Sequence, residues 1–352
     1  MVTQMIERDK LRNEFIKNSN FSNYIITPIP GDLSSRRYFR MTKDGADSLI
    51  LMDAPLEERT KEFCLMTDYL SENGFSVPKI LERDLDHGFL IIEDFGNRKI
   101  NEILSGKIVF EGSEDLNEER IYKRSVDVLA HLHDCPIPSF LKEPDDESLV
   151  TEARRIIEWY IEPLNGQELS SDMKNQFDDL IRGALKQAKL FPNVVTLRDY
   201  HVDNLFWLED RLSIGRVGLI DYQDAELLSP AYDLVSILED VRREVSFDLG
   251  QKMLAYYLSL KPNMDRKDMM TAYHVFGAQR NIKIIGIFAM RAATQNKGYL
   301  LTMLPRVLGY LYNDLNHPLL FNLKKWFDEA IPRQQVVTGR TYGGLTKIWL
   351  EN

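Results

Sequence analysis

Asp199, Asn204 and Asp221 are the residues of this chain whose types and spacing could do chemistry on a phosphate. Asp199 stands five residues before Asn204. Two short apolar runs follow, Leu205–Leu208 and Val217–Ile220, and the second ends at Asp221. Separated by the polar turn Glu209-Asp210-Arg211, these runs predict a β-hairpin. The hairpin sets Asn204 at the start of one strand, beside Asp221 at the end of the other. An amide oxygen and a carboxylate can then share a hard cation. Magnesium takes oxygen ligands, usually one or two carboxylates completed by substrate phosphates. Just upstream, the Asp199 carboxylate can accept the proton of a hydroxyl that attacks phosphorus.

An Asp, four intervening residues and an Asn, then a second Asp at a strand end, is the order of parts in the protein-kinase catalytic loop. Arg198-Asp199 keeps the Arg-Asp pair of that loop. Leu197 replaces its His, and Asp221 is followed by Tyr222-Gln223 where a protein kinase has Phe-Gly. A surface hairpin with solvated acids is the plain alternative for any one of these residues; the ordered set argues against it.

The elements that must position these residues begin with a helix over Met5–Asn18 and an extended segment, Phe21–Ile29. The polar turn Gly31-Asp32-Leu33-Ser34-Ser35-Arg36-Arg37 comes next, leading into Tyr38–Met41. Such a turn can lay backbone N–H groups over phosphates, and arginine forks match phosphate oxygens. Ser48–Asp53 reads as a strand, but it carries Met52 and Asp53 where a protein kinase has its phosphate-clamping lysine. Thr60–Asn73 predicts a helix stopped by Gly74. Glu62 on it, lacking a strand lysine to pair with, reads as solvated. Val77–Leu81 and Gly88–Ile92 predict two more strands, and the second runs into Glu93-Asp94-Phe95-Gly96. This linker is placed like a hinge whose backbone meets adenine, so a lobe boundary is expected near Gly96: residues 1–95 for nucleotide, 96–352 for catalysis and substrate. Helices dominate afterwards, over Glu118–His133, Thr151–Ile161, Asp172–Phe191, Phe247–Leu260 and Arg266–Met290, with an irregular tail past Pro332. Within Arg266–Met290 the polar cluster Gln279-Arg280-Asn281-Ile282-Lys283 either lines a cleft or forms a solvated face.

Hydrophobic residues make up 44% of the 352-residue chain and charged residues 28%, ordinary values for a folded protein of one large domain or two lobes. A net charge of −10 argues against a dominant nucleic-acid surface. Two cysteines exclude a disulfide framework. No apolar run is long enough for a membrane span, and the polar N-terminus has no signal-peptide core, so a cytoplasmic protein is expected.

The segments Phe89–Gly96, Val128–Pro136, Leu197–Trp207 and Gly218–Asp240, in that order, resemble the aminoglycoside phosphotransferase family of kinase-like small-molecule kinases. The likeness spans roughly residues 20–310. Gly31–Arg40, Leu49–Pro55 and the block Asp221–Arg243 are similar, within it, to the bacterial kinases that phosphorylate N-acetylmuramate and N-acetylglucosamine at the anomeric hydroxyl. The resemblance implies an α+β, two-lobed protein-kinase-like fold with a small antiparallel-sheet N-lobe and a larger, mainly helical C-lobe. It implies an ATP- and Mg2+-dependent enzyme of cell-wall sugar recycling whose partners are ATP and a small sugar. By the same resemblance Asp199 is the base, and Asn204 and Asp221 are the magnesium ligands. Ser34, Ser35, Arg36 and Arg37 cover the phosphates, and Glu93, Asp94 and Phe95 form the adenine hinge. Asp203, Gln223, Asp224 and Arg280 are candidate sugar contacts. A kinase of another small hydroxyl compound, such as an aminoglycoside or choline, and a non-catalytic pseudokinase are the competing readings.

Overall fold

The structure is a computed structural model that describes residues 2–30, 35–55, 58–110, 112 and 116–331. The tail past Pro332, and Gly31–Ser34 of the polar turn, lie outside the described residues. Contacts divide the chain into two compact units: Met1–Val128 with Leu197–Ala225, and Leu129–Thr196 with Glu226–Asn352. The expected lobes, 1–95 and 96–352, divide the chain by role and remain a proposal.

The first unit opens with α1 (Val2–Asn18), β1 (Ile25–Ile29), β2 (Arg37–Thr42) and β3 (Leu49–Asp53). Then come α2 (Thr60–Glu72), β4 (Ile80–Asp84), β5 (Phe89–Glu93) and the short α3 (Ile100–Leu104). The five strands form one antiparallel sheet in the order β1-β2-β3-β5-β4. Strand alternation sends Met41, Leu49, Leu51 and Ile91 into a core shared with Ile16 of α1, with Phe15, Phe39 and Ile26 packed against it. β4 begins three residues later than the predicted Val77. Pro78 cannot donate to a ladder, and strand pairing starts beyond it, at Ile80↔Ile92, with a register shift before Glu82.

The predicted hairpin is present as β7 (Leu205–Trp207) and β8 (Val217–Leu219), antiparallel in the register Leu205↔Leu219. Gly218 permits a close approach here: a Cβ on it would lie 2.8 Å from the Phe95 ring. Tyr222, just past Asp221, is fully buried against α2. Its ring stacks on Phe63 at 5.0 Å, and its hydroxyl lies 2.8 Å from the Thr67 hydroxyl one helical turn on. The residue that departs from the kinase Phe therefore still packs an aromatic ring, and adds a hydrogen bond to the helix.

The second unit is mostly helical. Its elements are the last turn of α4 (Glu118–Leu132), α5 (Asp146–Ile156), a π-helical turn (Ile157–Ile161), α6 (Glu162–Asn165) and α7 (Ser171–Ala188). β6 (Val194–Thr196) pairs antiparallel with β9 (Glu226–Leu228), ahead of α8 (Ala231–Leu238) and α9 (Phe247–Leu260). α10 (Arg266–Gln295), α11 (Leu304–Asp314) and α12 (Phe321–Ala330) complete it. α10 is the central helix and touches α5, α7, α8 and α11. That position explains Gln279, Arg280 and Asn281: all three are buried, so the cluster is no solvated face. No described helix is long and apolar enough to cross a membrane.

Candidate active site

The loop from Leu197 to Asn204 is folded by its own backbone. The Asp199 amide donates to Leu197 O at 2.8 Å, the His201 amide to Asp199 O at 3.1 Å, and the Asn204 amide to His201 O at 2.9 Å. Arg198 sits in the left-handed region at φ 66°, buried, while Asp199 is exposed. The Asn204 side chain closes the loop, its Nδ2 donating to Asp199 O at 3.0 Å. That bond commits the amide nitrogen inward and leaves the amide oxygen as the end that can meet a ligand. Asn204 Nδ2 also lies 3.5 Å from Asp221 Oδ2, so the hairpin brings the two side chains together as predicted.

Asp221 is held in the left-handed region at φ 63°. Its Oδ1 accepts from Arg36 Nη1 at 2.9 Å and from Gln223 Nε2 at 3.1 Å. Arg36 Nη1 also donates to Gln223 Oε1 at 3.1 Å, and Arg36 Nε to Glu58 Oε2 at 3.1 Å. Burial opposes the charge of Arg36, but Tyr38, Asp221 and Glu58 outweigh it and raise its pKa above the ordinary arginine value. Gln223 Nε2 passes the network on to Asp224 Oδ2 at 3.0 Å, and Asp224 takes Arg59 Nη1 at 2.9 Å. Arg59 is itself left-handed, at φ 56°. Five described non-glycine residues have positive φ, and three of them, Arg59, Arg198 and Asp221, lie in this one site. Each such residue costs about 1–2 kcal/mol, and strain of this kind concentrates where function requires it.

The two arginines of the polar turn go to different places. Arg37 opens β2, and Arg36 lies just before it. Arg37 Nη2 donates to Asp53 Oδ2 at 2.5 Å, across the register pair Arg37↔Asp53, and Arg37 Nη1 pairs with Asp9 at 2.9 Å. Asp53, fully buried, also takes Arg8 Nε at 2.7 Å. So the end of β3 is occupied by an ion cluster and offers no cation; Met52 beside it is core. Ser35 stands with Arg36, its amide 3.3 Å from Glu58 Oε1 and its hydroxyl bonded to the same oxygen. Ser34 lies outside the described residues.

In the hinge segment the side chains are engaged in holding the turn. Asp94 accepts from Ser48 Oγ and the Gly96 amide, each at 2.8 Å, and pairs with Arg40 Nε at 2.7 Å. Phe95 packs edge-on to Phe206 at 5.8 Å with the Arg211 guanidinium 5.1 Å over its ring, and Glu93 pairs with Arg211. Asp203 Oδ1 accepts from Asn101 Nδ2 of α3 at 2.7 Å. In the second unit, Arg280 is only 4% exposed. Its Nη2 donates to Ser236 Oγ at 2.8 Å, and Nη1 has no hydrogen-bond partner among the described residues.

The profile of the phosphotransferase enzyme family matches residues 25–269. The chain belongs to this family. Curated relatives include the N-acetylmuramate/N-acetylglucosamine kinases of Caulobacter vibrioides and Pseudomonas aeruginosa. The first is 29% identical, over 94% of this chain and 99% of the relative; the second is 29% identical, over 81% and 82%. Among solved structures, an ADP-bound aminoglycoside phosphotransferase superposes with a TM-score of 0.57 at 15% identity, covering 88% of this chain and 98% of the other. Amicoumacin kinase in complex with AMP-PNP, Ca2+ and Ami gives 0.59 at 14% identity, covering 92% and 100%. The kinase-like fold expected from the sequence is therefore the fold of this phosphotransferase.

Membership of the family implies a divalent cation, and the donor set fits one. Asn204 presents an amide oxygen, and Asp221 a carboxylate whose Oδ2 faces Asn204 while Oδ1 faces Arg36. No described group of three or more His, Cys, Asp or Glu side chains could hold a metal. Two oxygens are too few for a closed protein site and suit a magnesium ion completed by phosphates. Glu58 and Arg59 were not singled out from the sequence. The Glu62 side chain, which the sequence reads as solvated, makes no hydrogen bond or ion pair with any described residue, whereas Glu58 reaches both Ser35 and Arg36. The only local signal was a charged pair directly before the helix start at Thr60.

Proposed function

We propose that this phosphotransferase uses ATP and magnesium to phosphorylate the anomeric hydroxyl of an amino sugar, N-acetylmuramate or N-acetylglucosamine, in the recovery of cell-wall sugars. The observation that carries the reaction type is the loop closed by Asn204 on Asp199 O, with Asp221 beside it. The names and coverage of the curated relatives support the sugar. In this reading the sugar oxygen forms a bond to the γ-phosphorus of ATP while the bond to the departing ADP oxygen breaks. Asp199 accepts the hydroxyl proton. Asn204 and Asp221 hold magnesium, which when bound neutralises phosphate charge. Ser35 and Arg36 face the phosphates. Arg37, engaged with Asp53 and Asp9, serves the sheet. Backbone groups of Glu93–Phe95 meet adenine, since the side chains are already occupied.

Asp203, Gln223, Asp224 and Arg280 are the proposed sugar contacts. Arg280 has the most specific chemistry of the four. A buried guanidinium with no ion pair among the described residues calls for an anion, and N-acetylmuramate carries a carboxylate that N-acetylglucosamine lacks. The deciding experiment incubates the protein with ATP, magnesium and, separately, N-acetylmuramate, N-acetylglucosamine, glucose, choline and kanamycin, with the product position read by NMR. Phosphate at C1 of the two amino sugars is expected. Turnover confined to choline or kanamycin overturns the sugar assignment, and no turnover with any acceptor returns the chain to a binding role.

A further inference from the structure

The site has a buried arginine but no strand lysine, and the arginine must be held at a defined angle to serve a triphosphate. We propose that Glu58 is the positioning residue for Arg36, and that this pair does the phosphate-clamping work left undone by β3. The proposal rests on the reading of the chain as a nucleotide-dependent kinase. It deepens that reading by assigning a residue that neither the family match nor the resemblance singles out.

Glu58 grips the Ser35-Arg36 segment with both oxygens. Oε1 takes the Ser35 amide at 3.3 Å and the Ser35 hydroxyl; Oε2 takes Arg36 Nε at 3.1 Å. With the Nε edge held, Nη1 is turned to Asp221 Oδ1 at 2.9 Å and Gln223 Oε1 at 3.1 Å. The guanidinium is thus fixed beside a proposed magnesium ligand, where phosphate oxygens are to be neutralised, and its planar fork suits them.

The carboxylate is itself well anchored. Arg59, the next residue, accepts a left-handed backbone and ties itself to Asp224 at 2.9 Å. α2 begins at Thr60 and is pinned to Tyr222 through Phe63 and Thr67. The turn before α2 therefore joins the Ser35-Arg36 segment to the Asp221–Asp224 segment through two successive charged residues. A solvated turn has no cause to hold Arg59 in a conformation that glycine would adopt without strain. Nor can β3 supply the cation, since Met52 is core and Asp53 is committed to Arg8 and Arg37.

The test is calorimetric binding of ATP and of adenosine, without any sugar, to the parent, Arg36→Ala, Glu58→Gln, Glu58→Asp and the double variant Arg36→Ala/Glu58→Gln. Melting temperature is recorded for each. Arg36→Ala is expected to weaken ATP at least about tenfold and to leave adenosine within about twofold, as the loss of a charge-assisted contact confined to phosphate requires. Glu58→Gln is expected to reproduce most of that loss. Glu58→Asp, which keeps the charge on a shorter arm, should recover part of it. In the double variant Glu58→Gln should add nothing to Arg36→Ala, because a positioning residue has no effect once its client is gone. Unchanged ATP binding in Glu58→Gln, equal losses for ATP and adenosine, or losses that multiply in the double variant overturn the proposal. If Glu58→Gln melts early, Glu58→Asp takes its place: a smaller loss confined to ATP is expected, and unchanged ATP binding or equal losses for ATP and adenosine overturn the proposal. No sugar is present, so a wrong acceptor assignment leaves this result untouched.

Discussion

Asp199 and Asp203 are separated by what each carboxylate touches. Asp203 is held by Asn101 at 2.7 Å, whereas Asp199 is exposed on a loop whose backbone oxygen is gripped by Asn204. A base needs reach to the attacking hydroxyl, and Asp199 has the exposure for it. Asp199→Asn keeps the shape and removes the proton acceptor. Turnover is expected to fall at least about a hundredfold, the lower range of general-base contributions. ATP affinity should change little, because Asn204 and Asp221 remain. Asp203→Asn should raise the sugar KM with a smaller effect on kcat. Steady-state kinetics of both variants, with ATP binding measured directly, check this pair. The opposite ranking means that the loop is aligned wrongly.

α10 shows how one helix carries both packing and polar burial. Asn281 Nδ2 on this helix donates to Glu239 Oε2 at 2.6 Å and to Asp314 Oδ2 at 3.1 Å, and His274 Nδ1 lies 3.0 Å from Asp314 Oδ1. Gly277 makes room for the pair: a Cβ there would lie 2.6 Å from Asp314 Oδ2. Burial raises the pKa of both carboxyls well above the ordinary range, and the charge of Asp314 raises Glu239 further. An acid whose folded pKa is raised contributes stability that is fully present below its unfolded value, about 4. That stability is lost as pH rises through the folded value. Melting temperature should therefore decline as pH rises from about 4 toward the folded value, and Glu239→Gln, which has no proton to lose, should flatten the decline. Thermal unfolding of both proteins from acid to mildly alkaline pH measures it; parallel curves would show that the pair does not titrate in this range.

For the molecule as a whole, the net charge of −10 says little about phosphate binding; in the proposed reading the local cation Arg36, paired with Asp221, serves the phosphates. Ligand binding shows in global stability through linkage, about 2.7 kcal/mol at a hundredfold excess over Kd. ATP with magnesium should raise the melting temperature more than ATP with excess EDTA, and Asp221→Asn should abolish the difference. An Asp221→Asn protein that keeps the full magnesium increment removes Asp221 from the metal. Much of this was legible in the chain itself. The β7–β8 hairpin, its pairing of Asn204 with Asp221 and the run Phe247–Leu260 follow from spacing and period, which are local properties. The start of β4, the burial of Gln279–Asn281 and the division of Arg36 from Arg37 were decided by the tertiary structure. So was the pairing of Glu58 with Arg36 and of Arg59 with Asp224, residues 22 and 165 positions apart. The physical reason is register. Which of two adjacent arginines faces the site depends on where β2 sets Arg37 opposite Asp53. Which glutamate meets Arg36 depends on where Tyr222 pins α2. Neither alignment is encoded within a few residues of the side chains it positions.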